Sequence, residues 1–82
     1  MVSAIPLSQS PPGSFRVTRV LLPTEQSVRL LDLGLRPGAT VSVVHNRGTD
    51  GLVVGINDGR VAIDHEIAQR VLGVAVIAGG ES

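Results

Sequence analysis

The sequence predicts an all-β (mainly β) fold, a small barrel of five to six short strands. One α-helix is expected between the first and second strands, and a short helical turn before the last strand. Three observations support this prediction. Short segments rich in valine and isoleucine alternate apolar and polar residues between glycine, proline and asparagine turns. Only one stretch has helical periodicity. The inward positions are small and aliphatic, and closing the sheet into a barrel would protect edges that an open sheet exposes.

The N-terminal part of the chain is expected to precede the barrel. Residues 1–14 are predicted to form an arm, because Pro11-Pro12-Gly13 does not fit a helix interior or a central strand. Leu7 is expected to hold this arm against the core. Residues 15–22 alternate and end at Pro23, so they are predicted to be the first strand.

A helix of about ten residues follows. Thr24 is a candidate N-cap, and Gly34 can adopt the left-handed conformation that ends a helix. Pro37-Gly38 predicts a tight turn into the next strand. A helix this short does not persist alone in water, so it is expected to pack on the barrel. Its apolar stripe consists of Val28, Leu30, Leu31, Leu33 and Leu35.

The rest of the chain predicts short strands. Asn57-Asp58-Gly59 is a strong signal for a hairpin turn. Residues 65–70 resemble one helical turn, with Ala68 small enough to lie under the sheet. The predicted organisation is an N-terminal arm (1–14), a barrel domain (15–78, with its last strand at 72–78) and a flexible tail (79–82).

Composition excludes several classes of function. The chain has no cysteine and no lysine, so it has no thiolate metal site and no Schiff-base lysine. Its net charge is zero and Phe15 is its one aromatic residue, which argues against binding of nucleic acid. It lacks a signal peptide and any long apolar run, so we expect a cytoplasmic protein that does not insert into a membrane.

No group of residues points to catalysis. The serines have no evident base, and the glycines do not form a phosphate-binding motif. We therefore expect a protein that is not an enzyme and holds no cofactor.

Taken together, these segments resemble those of a known family, the FeoA domains. The resemblance covers residues 7–77 and depends on an ordered set of short motifs rather than on one element. The motifs are Leu7-Ser8 with Pro12-Gly13, then Leu31-Asp32-Leu33-Gly34-Leu35-Arg36-Pro37-Gly38, Val41, Val43 and Val44, Gly51, Arg60-Val61-Ala62-Ile63, and Ala68 with Val71. Gly73 departs from the family pattern, which places a β-branched residue there. We expect either a bulge at this glycine or a shifted register with Val74 and Val76 inward.

The resemblance implies an SH3-like barrel and a small cytoplasmic accessory protein of FeoB, the membrane transporter for ferrous iron. A similar barrel forms the C-terminal domain of iron- and manganese-dependent repressors, so a detached metal-sensing domain is an alternative. In some of those repressors an acidic residue near the helix start binds metal. Pro23 occupies that place here, although Gln26 matches a neighbouring ligand.

Because the resemblance is to an iron-related family, binding of Fe(II) or another divalent metal is a possibility to be weighed. Imidazole and carboxylate suit Fe(II), and the candidates are His45, His65 and Glu66, together with Asp58 and Asp64. Asp64, His65 and Glu66 are adjacent and alternate in direction, and His45 lies on another strand. A solvated turn is therefore the favoured interpretation, with no metal site.

A binding surface is the remaining kind of site. We expect an apolar patch beside the helix, rimmed by arginines, to bind the cytoplasmic part of the transporter. The alternatives are that these leucines only widen the core stripe, or that the protein is a structural adaptor that forms a homo-oligomer. The expected partner-binding residues are Leu30, Leu33, Leu35, Arg36, Pro37 and Arg29.

Overall fold

The computed structural model describes residues 3–76. Six antiparallel strands form one sheet in the order β1-β6-β2-β3-β4-β5. The prediction of a mainly β fold is thereby confirmed. The elements are β1 (Ile5–Pro6), a 3₁₀ turn (Leu7–Gln9), β2 (Gly13–Val20), α1 (Thr24–Leu33), β3 (Thr40–Asn46), a second 3₁₀ turn (Gly48–Asp50), β4 (Leu52–Ile56), β5 (Gly59–Ile63), α2 (His65–Gln69) and β6 (Val71–Val76).

Ile5 and Pro6 are part of the sheet, whereas the sequence predicted only an arm that Leu7 holds against the core. Ile5 of β1 pairs with Gly73 of β6, and Leu7 is fully buried. The amide of Asn46 donates hydrogen bonds to the carbonyls of Ser8 (3.0 Å) and Ser10 (2.7 Å). These long-range bonds hold the 3₁₀ turn against the end of β3, and a local sequence pattern does not predict them.

Strand β2 lies at the centre of the sheet, between β3 and β6. Phe15 and Val17 point into the core and are fully buried. The pairing of β2 with β6 then shifts between Val17 and Arg19, so Arg19 is exposed and Val20 turns half inward. This bulge ends the simple alternation that the sequence predicts through residue 22.

The core is one cluster of small aliphatic side chains around Phe15. Strands β3 and β4 contribute alternate residues, as predicted. The hairpin between β4 and β5 is also confirmed, with Asn57 at φ 55°. Ala68 of α2 is fully buried, so the predicted helical turn closes one side of the core.

Position 73 holds a glycine because the backbone there lies very close to the neighbouring strand β2. It pairs with Val17, and a Cβ at this position would lie 2.1 Å from the Arg16 carbonyl oxygen and 2.6 Å from Cε2 of Phe15. The register shift lies beside Gly73, between its pair with Val17 and the pair of Leu72 with Arg19, and the extra residue is in β2. The expected irregularity at this glycine is therefore present, although on the neighbouring strand, whereas the alternative with Val74 and Val76 inward was wrong, because Gly73 is buried and these two valines are half-buried. Residues 77–78 of the predicted last strand and the predicted tail lie outside the described residues.

Candidate functional site

Helix α1 lies on the outside of the barrel with very little of its surface covered. Of its ten residues, all of which the structure describes, one is buried: Leu30, at 5% exposure. The helix begins at Thr24 with Pro23 in the cap position and no side-chain cap, so the predicted cap by Thr24 is wrong. The Ser27 hydroxyl instead donates a hydrogen bond to the Leu22 carbonyl (3.1 Å).

The C-terminal end of α1 is fixed as the sequence predicted. Gly34 adopts the left-handed conformation (φ 99°). The amide of the fully buried Leu35 donates to the Leu30 carbonyl (2.8 Å). After Pro37, the Gly38 amide donates to the Val17 carbonyl (2.7 Å), which attaches the connector to β2. The helix is therefore anchored mainly by one side chain and by its two ends.

One side of α1 borders a shallow groove of about 210 Å³, which we call the groove side. Leu31 (46% exposed) lines this groove, and the exposed Val28 (48%) lies one helical turn before it. Pro37 closes one end of the groove. The groove is lined by Val20, Ser27, Leu31, Leu35 and Pro37.

The other side of α1 faces α2 across a larger cleft of about 510 Å³, which we call the cleft side. Gln26, Arg29 and Leu33 recur on this side at three- and four-residue spacing, and Leu33 is 42% exposed. The cleft is lined by Leu22, Pro23, Gln26, Arg29, Leu30, Asp64, Glu66, Ile67 and Arg70.

The structure divides the six predicted partner-binding residues into two groups. Leu30 and Leu35 are buried core residues, and they reach the surface only where Leu30 lines the cleft and Leu35 lines the groove. The helix turns Leu30 onto the barrel, and the chain reversal after Gly34 brings Leu35 inward. The exposed residues are Arg29, Leu33, Arg36 and Pro37.

Sequence reasoning missed two apolar residues of this surface. Val28 and Leu31 were predicted to lie on the core stripe, and both are about half exposed. The helix has apolar residues on both sides of Leu30, so periodicity alone does not identify the buried side. The motif around Gly34 was the one sequence signal for the buried side. Its chain reversal brings Leu35 back to the turn of the helix that contains Leu30, and both residues are buried.

The candidate metal ligands do not converge. Within residues 3–76, no group of three or more histidine, cysteine, aspartate or glutamate side chains is placed to hold a metal ion. His45 is exposed at the position paired with Val53. The Nδ1 of His65 lies 3.2 Å from the Gly48 carbonyl oxygen, so a protonated Nδ1 donates to this loop, and Glu66 is exposed. The candidates among the described residues therefore do not form a three-ligand group.

None of the helices within residues 3–76 is both long enough and apolar enough to cross a membrane.

Comparison with solved structures confirms the SH3-like fold. The iron uptake regulatory protein FeoA matches with 28% sequence identity and a TM-score of 0.81, over 90% of this chain and 100% of that chain. An FeoA-like protein from Clostridium acetobutylicum matches at 13% identity with a TM-score of 0.77, over 94% of this chain and 92% of that one. IdeR from T. acidophilum matches at 20% identity with a TM-score of 0.75, over 93% of this chain but 36% of its own length. At these lower identities the last two matches show the fold alone.

A search of curated protein sequences gave no significant match. A family model for the FeoA domain matches residues 5–74, which begin at β1 and end within β6. The match includes the N-terminal strand, the anchored helix and the glycine at position 73. This chain belongs to the FeoA domain family.

Proposed function

We propose that this protein is a cytoplasmic accessory protein of ferrous iron uptake, which binds the cytoplasmic part of a FeoB-type transporter and regulates it. The observation that supports this proposal is the exposed apolar groove side of α1, in a chain of the FeoA family. A similar solved structure is described as an iron uptake regulatory protein. Regulation by binding needs a surface, and this helix offers one.

The groove side has the chemistry of a protein-binding surface. Val28 and Leu31 lie next to each other at helical spacing, and each leaves about half of its surface in water. Contiguous exposed apolar residues with a polar rim are typical of interaction sites. The exposed Arg36 is next in sequence to the groove residue Pro37 in the connector, so it can supply a cation near this edge. We expect the partner segment to be apolar with an acidic residue nearby.

The size of the expected effect follows from the exposed area. Completing the burial of two half-exposed aliphatic side chains contributes on the order of 2 kcal/mol, or about 30-fold in affinity. Replacing Leu31 with glutamate removes part of this gain and also requires a charge to be desolvated at the interface. A loss of about 30-fold or more is therefore expected for Leu31→Glu.

The experiment is a titration of this protein against the isolated cytoplasmic GTP-binding (G) domain of a FeoB-type transporter and against the full transporter in detergent. Each is run with and without guanine nucleotide, while GTP hydrolysis is followed. Wild-type protein should bind saturably and Leu31→Glu should not. Ala62→Glu is the matched control, because Ala62 is exposed on β5 and the substitution introduces the same charge.

Two results would overturn the proposal. Absence of binding to either form of the transporter would remove the accessory role. Equal binding by Leu31→Glu and Ala62→Glu would place the interaction elsewhere on the molecule. The metal-sensing alternative predicts instead that Fe(II) or Mn(II) raises the melting temperature, and the described residues hold no converging ligand group to support it.

A further inference from the structure

We propose that two copies of this chain associate through the cleft between α1 and α2, as a dimer with two-fold symmetry. This surface lies on the cleft side of α1, across Leu30 from the groove side. A transporter bound on the groove side would leave it open. The inference is therefore independent of the function proposed above.

The cleft combines an apolar floor with a charged rim. Leu22, Leu30 and Ile67 form the floor, and Leu30 is buried while the other two are half-buried. The rim has two arginines, Arg29 and Arg70, and two carboxylates, Asp64 and Glu66, all four of them exposed. Apolar centres surrounded by charged residues are the usual arrangement of protein interfaces.

The charges of the rim favour a second copy over other partners. The two positive and two negative side chains balance, so a partner with a strong net charge of either sign meets repulsion from half of the rim. Arg29 lies on the α1 wall, whereas Asp64 and Glu66 lie on the α2 wall. A two-fold axis along the cleft brings the α1 wall of one copy over the α2 wall of the other. Arg70 also lies on the α2 wall, so each Arg29 then faces two carboxylates and one arginine, a net negative charge, and this attraction occurs twice.

Leu33 supplies an apolar group for the same contact. It lies one turn beyond Arg29 on the cleft side of α1, and 42% of its surface is exposed. In the two-fold arrangement Leu33 extends toward the apolar floor of the cleft in the other copy. The rim cations are arginines, which pair with carboxylates through two parallel hydrogen bonds and are enriched at interfaces.

The test measures self-association of the full chain by sedimentation equilibrium. Concentrations would run from about 10 μM to about 1 mM, where a small interface of this kind is half-formed. Wild-type protein should form a dimer that weakens as salt is raised. Arg29→Glu should weaken it about tenfold or more, because two attractive pairs become repulsive. The double variant Arg29→Glu with Glu66→Arg should restore it, since both charges are exchanged.

Control variants separate this dimer from non-specific association. Leu33→Glu should abolish the dimer and keep transporter binding, whereas Leu31→Glu should do the reverse. Circular dichroism of each variant would establish that it is folded, and all these positions are exposed. A wild-type protein that stays monomeric throughout the range would overturn the proposal. So would a dimer that Arg29→Glu leaves unchanged, or one that the charge exchange does not restore.

Discussion

Gly73 offers the sharpest test of how this barrel is packed. We predict that Gly73→Ala severely destabilises the protein, although alanine adds a single methyl group. The added Cβ would lie 2.1 Å from the Arg16 carbonyl oxygen, and 2.6 and 2.8 Å from Cε2 and Cζ of Phe15. Contacts below 3.0 Å require a neighbour to move. The nearest neighbour here is backbone of β2, which is hydrogen-bonded on both sides.

The expected cost follows from that geometry. Inserting a methyl group into a packed core costs about 1–3 kcal/mol when side chains can adjust. Here the strand itself must shift, so the cost is expected at the upper end, about 3 kcal/mol. For a domain of this size, that corresponds to a fall in melting temperature of roughly 12–24 °C. The ring of Phe15 is central to the core, so it cannot move without disturbing its neighbours.

The assay is urea denaturation of Gly73→Ala and of a matched control, Gly55→Ala. Gly55 also lies within a central strand, but a Cβ there would have no neighbour closer than 3.6 Å. Gly55→Ala should therefore be neutral or more stable by about 0.4–1 kcal/mol, because alanine restricts the unfolded chain. In a Phe15→Leu background, Gly73→Ala should cost less than in the wild type but still destabilise the protein, since the contact with the Arg16 carbonyl remains. Phe15→Leu alone is the reference, because it removes core volume itself.

A Gly73→Ala protein with wild-type stability would refute this reasoning. It would show that β2 and β6 are further apart than the structure has them. A Gly73→Ala substitution that costs nothing relative to Phe15→Leu alone would also contradict it, because the ring alone would then explain the cost.

Three further predictions test the placement of α1 and of the N-terminal turn. Leu30→Ala should cost about 2–5 kcal/mol because its side chain is in the core, whereas the exposed Leu31→Ala should stay within about 0.5 kcal/mol, both by urea denaturation. Gly34→Ala should cost about 1–3 kcal/mol, because its φ is 99° and its Cβ would lie 2.7 Å from Cγ2 of Ile56; thermal melting would measure this. Asn46→Ala removes two hydrogen bonds to the N-terminal turn and one accepted from a loop amide, so about 1.5–3 kcal/mol should be lost. Hydrogen exchange of the Ser10 amide, which donates to the Leu7 carbonyl in the N-terminal turn, should then speed up first if the remaining core stays folded.

Features set by local chemistry could be predicted from the sequence. The hairpin at residues 57–59 and the helix end at Gly34 each depend on residues that tolerate positive φ, and both form as expected. Alternation also identified the inward rows of β3 and β4, because a strand buried on one face has a period of two.

Features set by distant neighbours could not be predicted. Strand β1 has two residues, and its partner lies near the other end of the sequence. The need for glycine at position 73 becomes visible only when Phe15 is known to lie beside it. The buried side of α1 could not be predicted either. Apolar residues lie on both sides of the helix, and Leu30 faces inward because of how the helix packs on the barrel.

The weak attachment of α1 has a consequence for function. Ten residues are too few for an independent helix, yet this one buries a single side chain and is fixed at both ends by the barrel. Substitutions on either side of Leu30 therefore change little of the core. Because the strands stabilise the barrel, one helix can present two different surfaces. Residues of either surface can be substituted without unfolding the protein or altering the other surface. The paired variants Leu31→Glu, on the groove side, and Leu33→Glu, on the cleft side, test whether the two surfaces are separate. If both lose transporter binding and self-association together, the two sides of the helix act as one surface.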